Sequence, residues 1–134
     1  VGNGGFNCVA QDGLLDVVMP DIKYAGGYRE MLGIAGLTAR HGIAFSPHNP
    51  HAPVCTLASL HVCALAPNFL IMEHQLAESA LYLDIMKGTH PPLVDGCYAV
   101  PETPGLGMEL NDEAMRGHPY KPLPASALRD PRLG

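Results

Sequence analysis

Three side chains suited to acid–base chemistry each follow a short apolar segment of the chain: Asp21, His48 and Glu73. An imidazole oriented by a carboxylate can take or give a proton, and a second carboxyl group can hydrogen-bond an oxygen that gains charge. In a parallel sheet or barrel, the C-terminal ends of all strands lie on one face, where catalytic side chains collect. We therefore expect the three residues to converge in space.

The elements that must position these side chains alternate along the first half of the chain. Short apolar runs predict strands covered on both faces, and the segments between them have the apolar spacing of helices. This alternation predicts a parallel sheet with right-handed crossovers, in an α/β architecture. The predicted segments are strands at residues 14–19, 43–45 and 68–74 and helices at residues 28–42 and 54–66, the second helix ended by Pro67.

The character of the chain changes after residue 78. Residues 79–134 are rich in proline, glycine and acidic residues and have little periodicity. We predict two parts: residues 1–78 hold the βα units, and residues 79–134 form a segment that wraps over another part of the protein. Its last portion, from His118 onward, is expected to be an irregular tail.

Each of the three residues also has a simpler interpretation. Asp21 could serve only as the cap of a turn, and Glu73 could be half of an ion pair or a charge at a helix N-terminus. His48 and His51 form an HxxH spacing that suggests zinc binding, but two neighbouring prolines oppose the helix on which such pairs usually sit. The occurrence of one such residue at each of three successive strand ends favours a shared functional site.

Composition excludes several classes of partner. The 134 residues carry a formal net charge of -5 and no basic run, which argues against nucleic acid. No apolar stretch reaches the roughly 18 residues that a membrane span needs, and no export signal is recognisable at the N-terminus. Cys8, Cys55, Cys63 and Cys97 form no CxxC pair, so we expect reduced thiols in a cytoplasmic protein.

With these residues identified, the chain resembles the enolase superfamily, specifically its mandelate racemase/muconate lactonizing enzyme group. The resemblance covers roughly residues 14–110 and lies in three stretches: DVVMPDIKYAGG, HGIAFSPHNPHAPVCTLASLHVCALAPNFLIME and PGLGMEL. It implies a modified TIM barrel, (β/α)7β, of which the three predicted strands are strands six, seven and eight. Residues 79–134 would then return toward a capping domain that this sequence does not contain.

The resemblance also implies roles. His48 would be the general base or acid and Asp21 its orienting partner, while Glu73 would hydrogen-bond a substrate carboxylate oxygen. The group uses Mg²⁺, whose carboxylate ligands follow strands three to five. We therefore expect no metal ligand in this chain. Its ligands would lie upstream of Val1, in a longer polypeptide that is commonly a homo-oligomer.

The function that follows is an acid-sugar dehydratase-like activity: removal of the proton α to a carboxylate, then loss of the β-hydroxide. A racemase or epimerase of a 2-hydroxy acid uses the same chemistry and is the nearest alternative. Relatives of muconate cycloisomerase carry a lysine where Asp21 stands, which disfavours that branch. A catalytically incomplete structural fragment is the alternative from another class.

Overall fold

The architecture is taken from a computed structural model, which describes residues 3–75, 79, 81–88 and 90–122. Three longer helices accompany a small parallel sheet, and shorter elements follow. The helices are α1 (Asn3–Gln11), α2 (Ile22–Ala25), α3 (Tyr28–Ala39), α4 (Pro53–Leu65), α5 (Leu81–Asp84) and α6 (Asp112–Gly117). The strands are β1 (Val17–Val18), β2 (Ala44–Phe45), β3 (Met86–Lys87), β4 (Leu93–Val94), β5 (Cys97–Tyr98) and β6 (Glu109–Leu110).

The parallel sheet confirms the predicted order of strand and helix. Strands β1 and β2 pair in parallel with Val18 opposite Phe45, and Phe45 also forms a parallel bridge with Phe69 in the third predicted strand. The intervening helices α3 and α4 make the two crossovers. Alternating βα units therefore build the framework on which the polar side chains stand.

The strands are shorter and less covered than predicted. The segment at residues 14–19 is a strand only at β1, and Val17 is 37% exposed whereas Val18 is 2% exposed. The expectation of a strand buried on both faces is therefore wrong for β1. Within the described residues β1 pairs along one edge only, and a ladder extends only as far as its partner does.

An N-terminal helix was not predicted. Helix α1 contains Gly4 and Gly5, which disfavour helices, yet it packs against the core through Phe6 and the buried Ala10. Most helical stability in proteins comes from such packing, which propensity does not report.

Helix α4 is buried on both sides, as its apolar composition predicted. One side packs through Ala58 and Val62 against Phe45 and Met31 in the main core. The other side packs through Leu57 and Leu60 against Met86 and neighbouring apolar residues of the second half of the chain. No helix in the described ranges is long and apolar enough to span a membrane.

The second half of the chain holds two short antiparallel pairs, β3 with β6 and β4 with β5. Residues 118–122 of the predicted irregular tail form no helix or strand, and residues 123–134 lie outside the described part. The division of the chain at residue 78 stays a prediction.

Candidate active site

The backbone ladder of the parallel sheet continues to the site and aligns the three strand ends. The N–H of His48 donates to the carbonyl oxygen of Pro20 (3.1 Å), the residue before Asp21. In the same way the N–H of Glu73 donates to the carbonyl oxygen of Pro47 (3.2 Å), the residue before His48. The amide of each of these two residues is thus bound to the residue that precedes the functional residue on the adjacent segment. The structure therefore brings the three predicted residues together.

Asp21 uses its two carboxylate oxygens for two different purposes. It is the N-cap of α2, where Oδ1 accepts from the backbone N–H of Lys23 at 2.9 Å. Oδ2 remains available to the site. The capping interpretation and the orienting interpretation of Asp21 therefore both describe the same side chain, one for each oxygen.

His48 is held at one ring nitrogen and open at the other. Its Nδ1 lies 2.7 Å from Oδ2 of Asp21, and an ionised carboxylate only accepts, so Nδ1 is the donor. Its Nε2 lies 3.9 Å from Oε2 of Glu73, and the side chain is 41% exposed. A neutral His48 in this tautomer presents an unprotonated Nε2 to the cleft, as a general base requires.

A second imidazole, which the sequence did not assign to the site, shares the same oxygen. His51 Nε2 lies 2.6 Å from Oδ2 of Asp21, and the side chain is 16% exposed. Its ring also meets the ring of Tyr24 edge-on, with 5.9 Å between centroids. The available signal was the HxxH spacing, which suggests a zinc pair that the neighbouring prolines disfavour and gives no indication of a shared carboxylate.

The electrostatics of Asp21 follow from these contacts. Burial by itself raises the pKa of Asp21, but hydrogen bonds from His48, His51 and the Lys23 amide stabilise the ionised form. The net result is a pKa below the ordinary value of 3.8. The carboxylate is therefore charged at neutral pH and can orient an imidazole.

Glu73 is positioned by a buried hydrogen-bond network that sequence reasoning also missed. Its Oε2 accepts from the backbone N–H of Asn49 (3.2 Å), and its backbone carbonyl accepts from Asn49 Nδ2 (3.2 Å). The same amide nitrogen donates to Thr56 Oγ1 (3.0 Å), which also accepts from the hydroxyl of Tyr82 (2.8 Å). Thr56 of helix α4 and Tyr82 of helix α5 thus hold Asn49 in place, and Asn49 in turn positions Glu73.

The described residues include one cluster that could hold a metal ion, formed by Asp21, His48 and His51. It offers two nitrogens and one carboxylate, whereas Mg²⁺ prefers an octahedron of oxygen ligands. Both imidazoles are also directed at a single oxygen at hydrogen-bond distance. The cluster therefore does not suit Mg²⁺, and the location of the Mg²⁺ ligands stays a prediction.

Comparison with known proteins gives a consistent family. The family model described as "Enolase C-terminal domain-like" matches residues 3–114. D-xylonate dehydratase of Haloferax volcanii is 33% identical over 104 residues, which cover 78% of this chain and 25% of that protein. D-galactonate dehydratase of Xanthomonas campestris pv. campestris (strain B100) is 32% identical over 116 residues, covering 83% of this chain and 30% of that protein.

Solved structures agree. The crystal structure of mandelate racemase/muconate lactonizing enzyme from Jannaschia sp. CCS1 superposes with a TM-score of 0.83 at 31% identity. The match covers 92% of this chain and 31% of that one. The chain therefore spans between a quarter and a third of the length of these three proteins.

Proposed function

The chain belongs to the enolase C-terminal domain-like family, whose fold is the TIM-barrel part of these proteins, and from this premise we propose that it supplies an acid–base dyad to an acid-sugar dehydratase. The observation that carries the proposal is the hydrogen bond between Asp21 Oδ2 and His48 Nδ1, with Nε2 open toward Glu73. The names of the dehydratase relatives support the substrate class, a sugar acid.

His48 is the proposed proton-transfer group. In dehydration, the C–H bond α to the carboxylate breaks as the unprotonated Nε2 of His48 takes the proton, and the β C–O bond then breaks. The leaving hydroxide takes a proton from His48 Nε2 and departs as water. Asp21 holds Nδ1–H throughout, so the ring keeps its orientation and the imidazolium that forms before proton release is stabilised.

Glu73 is the proposed contact for the substrate carboxylate. A carboxyl group that hydrogen-bonds an oxygen gaining negative charge must carry the proton itself, because only the protonated form has an O–H donor. The 3.9 Å between its Oε2 and His48 Nε2 leaves both atoms within reach of neighbouring atoms of one substrate. The backbone N–H of Asn49 fixes that carboxyl group from the other side.

Family membership implies a divalent metal, and we propose Mg²⁺, which would stabilise the charge that develops on the substrate carboxylate. Its ligands would be supplied by residues outside this chain. We also propose a homo-oligomer in the cytoplasm; the four free cysteines support that compartment.

The test is turnover by the full polypeptide that contains this chain. A panel of sugar acids is incubated with Mg²⁺ or with EDTA, and the 2-keto acid that dehydration yields is measured. We expect keto acid from at least one substrate with Mg²⁺ and none with EDTA. Deuterium uptake at the α-carbon without loss of water would show that the reaction is racemisation and not dehydration. If no acid gave either product, the alternative of a catalytically incomplete structural fragment would remain.

A further inference from the structure

The oxygen of Asp21 that accepts from His48 also accepts from a second imidazole at nearly the same distance. Oδ2 lies 2.7 Å from His48 Nδ1 and 2.6 Å from His51 Nε2. Since an ionised carboxylate donates nothing, both imidazoles present N–H groups to it, which fixes the tautomer of His51 as well. The proposed function gives His48 a role and leaves His51 without one.

His51 is held in place more firmly than His48. Its side chain is 16% exposed, against 41% for His48, and Tyr24 of helix α2 packs edge-on against its ring. The ring stands directly before α4, which begins at Pro53. A half-buried ring with a fixed donor can hold a neighbouring carboxylate without following the substrate.

We propose that His51 is a positioning residue for the dyad: its Nε2–H donates to Oδ2 of Asp21, fixes the carboxylate and disperses part of the negative charge that orients His48. This inference rests on the proposed function for its catalytic consequence. With Oδ1 bound to the Lys23 amide and Oδ2 to two imidazoles, the plane of the carboxylate is defined by three donors. Such outer contacts determine how exactly a reacting group is aimed.

Other ionisable groups near the carboxylate do not offer this contact. Glu73 lies on the far side of His48, and the Lys23 side chain stands over the ring of Tyr24. Burial raises the pKa of the Cys55 thiol, and the Asp21 charge raises it further, so this neighbour stays neutral. Among the described side chains, His51 is therefore the one besides His48 that donates directly to the Asp21 carboxylate.

The experiment compares donor-free and donor-retaining variants in the full polypeptide. His51→Phe keeps the ring against Tyr24 without an N–H, His51→Gln keeps an N–H, and His51→Leu is the smaller donor-free variant if His51→Phe does not fold. His41→Phe is the control, because His41 is exposed beyond the far end of α3. The readouts are the ¹³C titration of the Asp21 carboxyl group, the ¹⁵N signals of the His48 ring, and kcat and KM.

We expect the donor-free variants to raise the pKa of Asp21 and to shift the ¹⁵N signals of the His48 ring, because the carboxylate that accepts from Nδ1 has lost a donor. The value of kcat should fall about tenfold, with KM changed much less, and His51→Gln should restore most of it. Unchanged Asp21 and His48 spectra in the donor-free variants would overturn the inference, as would unchanged kcat. If the wild type turned over no sugar acid, the proposed function would fail, and the two spectra would still decide whether His51 holds the dyad.

Discussion

His48 and Asp21 stand 27 positions apart in the sequence and are joined by a 2.7 Å hydrogen bond between Nδ1 and Oδ2. The contact exists because the backbone N–H of His48 is bound to the carbonyl of Pro20, immediately before Asp21. The register of the parallel pair therefore places the imidazole beside the carboxylate. The same ladder then places Glu73 beside His48.

Replacement of His48 tests the dyad. We expect His48→Asn to lower kcat on the sugar-acid substrate by about 10²- to 10⁴-fold, since general acid–base catalysis contributes that much. The fold should survive, because the side chain is 41% exposed and only its ring contacts are lost. The measurement is steady-state turnover of the full polypeptide, with circular dichroism as the check on folding. His41→Asn is the matched control, and turnover of His48→Asn close to that of the control would mean that the dyad is assigned wrongly.

The hydroxyl of Thr56 tests the network behind Glu73. Thr56→Val keeps the shape of the side chain but removes the acceptor of Asn49 Nδ2 and of the Tyr82 hydroxyl. Leaving a buried donor unpaired costs about 1–3 kcal/mol, and the Tyr82 hydroxyl keeps His90 Nε2 at 3.4 Å as a second partner, so we expect a loss of about 1–3 kcal/mol in the free energy of unfolding. Urea unfolding measures it. Ser59→Ala is the control in the same helix, because the buried Ser59 hydroxyl has no partner among the described residues and should cost little.

The stability should depend on pH through His74. Burial, with a smaller effect from His90, lowers the pKa of His74 below its ordinary value of 6.5. As the pH falls below that value the unfolded chain binds a proton before the folded chain does, so the free energy of unfolding decreases on acidification. This contribution is fully present above the ordinary pKa and is lost as the pH falls through the lowered one.

We expect His74→Phe to flatten that dependence while it preserves the ring contacts with Tyr82 and Tyr98. Urea unfolding at pH values between about 8 and 5 measures the slope. His118→Phe, at an exposed position, is the control and should leave the slope as in the wild type. An equal slope in His74→Phe and the wild type would show that another group titrates.

Gly26 tests the turn that presents Asp21. It ends helix α2 with φ of 117°, and a Cβ at this position would lie 2.9 Å from Cγ of Glu30. We expect Gly26→Ala to destabilise the protein by about 1 kcal/mol or more, because an L side chain is strained there. Gly36→Ala is the matched control inside α3, where nothing lies within 4 Å and a gain of up to about 1 kcal/mol is expected. Thermal or urea unfolding of both variants gives the comparison, and equal effects would contradict the strain argument.

The sequence by itself determined the order of the βα units in residues 14–74 and the place of Asp21, His48 and Glu73 after their three apolar segments. Apolar periodicity and the glycines and prolines that bound each run are local properties, so they can be recognised without coordinates. Parallel strands point in one direction, and this rule was sufficient to predict that the three side chains share a face. The family model and the solved structures that the chain matches agree with the predicted fold class.

Only the tertiary structure decided which atoms meet. His51 and Asp21 are 30 positions apart, and Asn49 and Glu73 are 24 apart; both pairs depend on the register of the ladder and on where α4 begins. Helix α1 likewise forms against the core in spite of its glycines. Hydrogen bonds between distant segments are set by packing and register, which no local pattern encodes, and these contacts complete the site around the dyad.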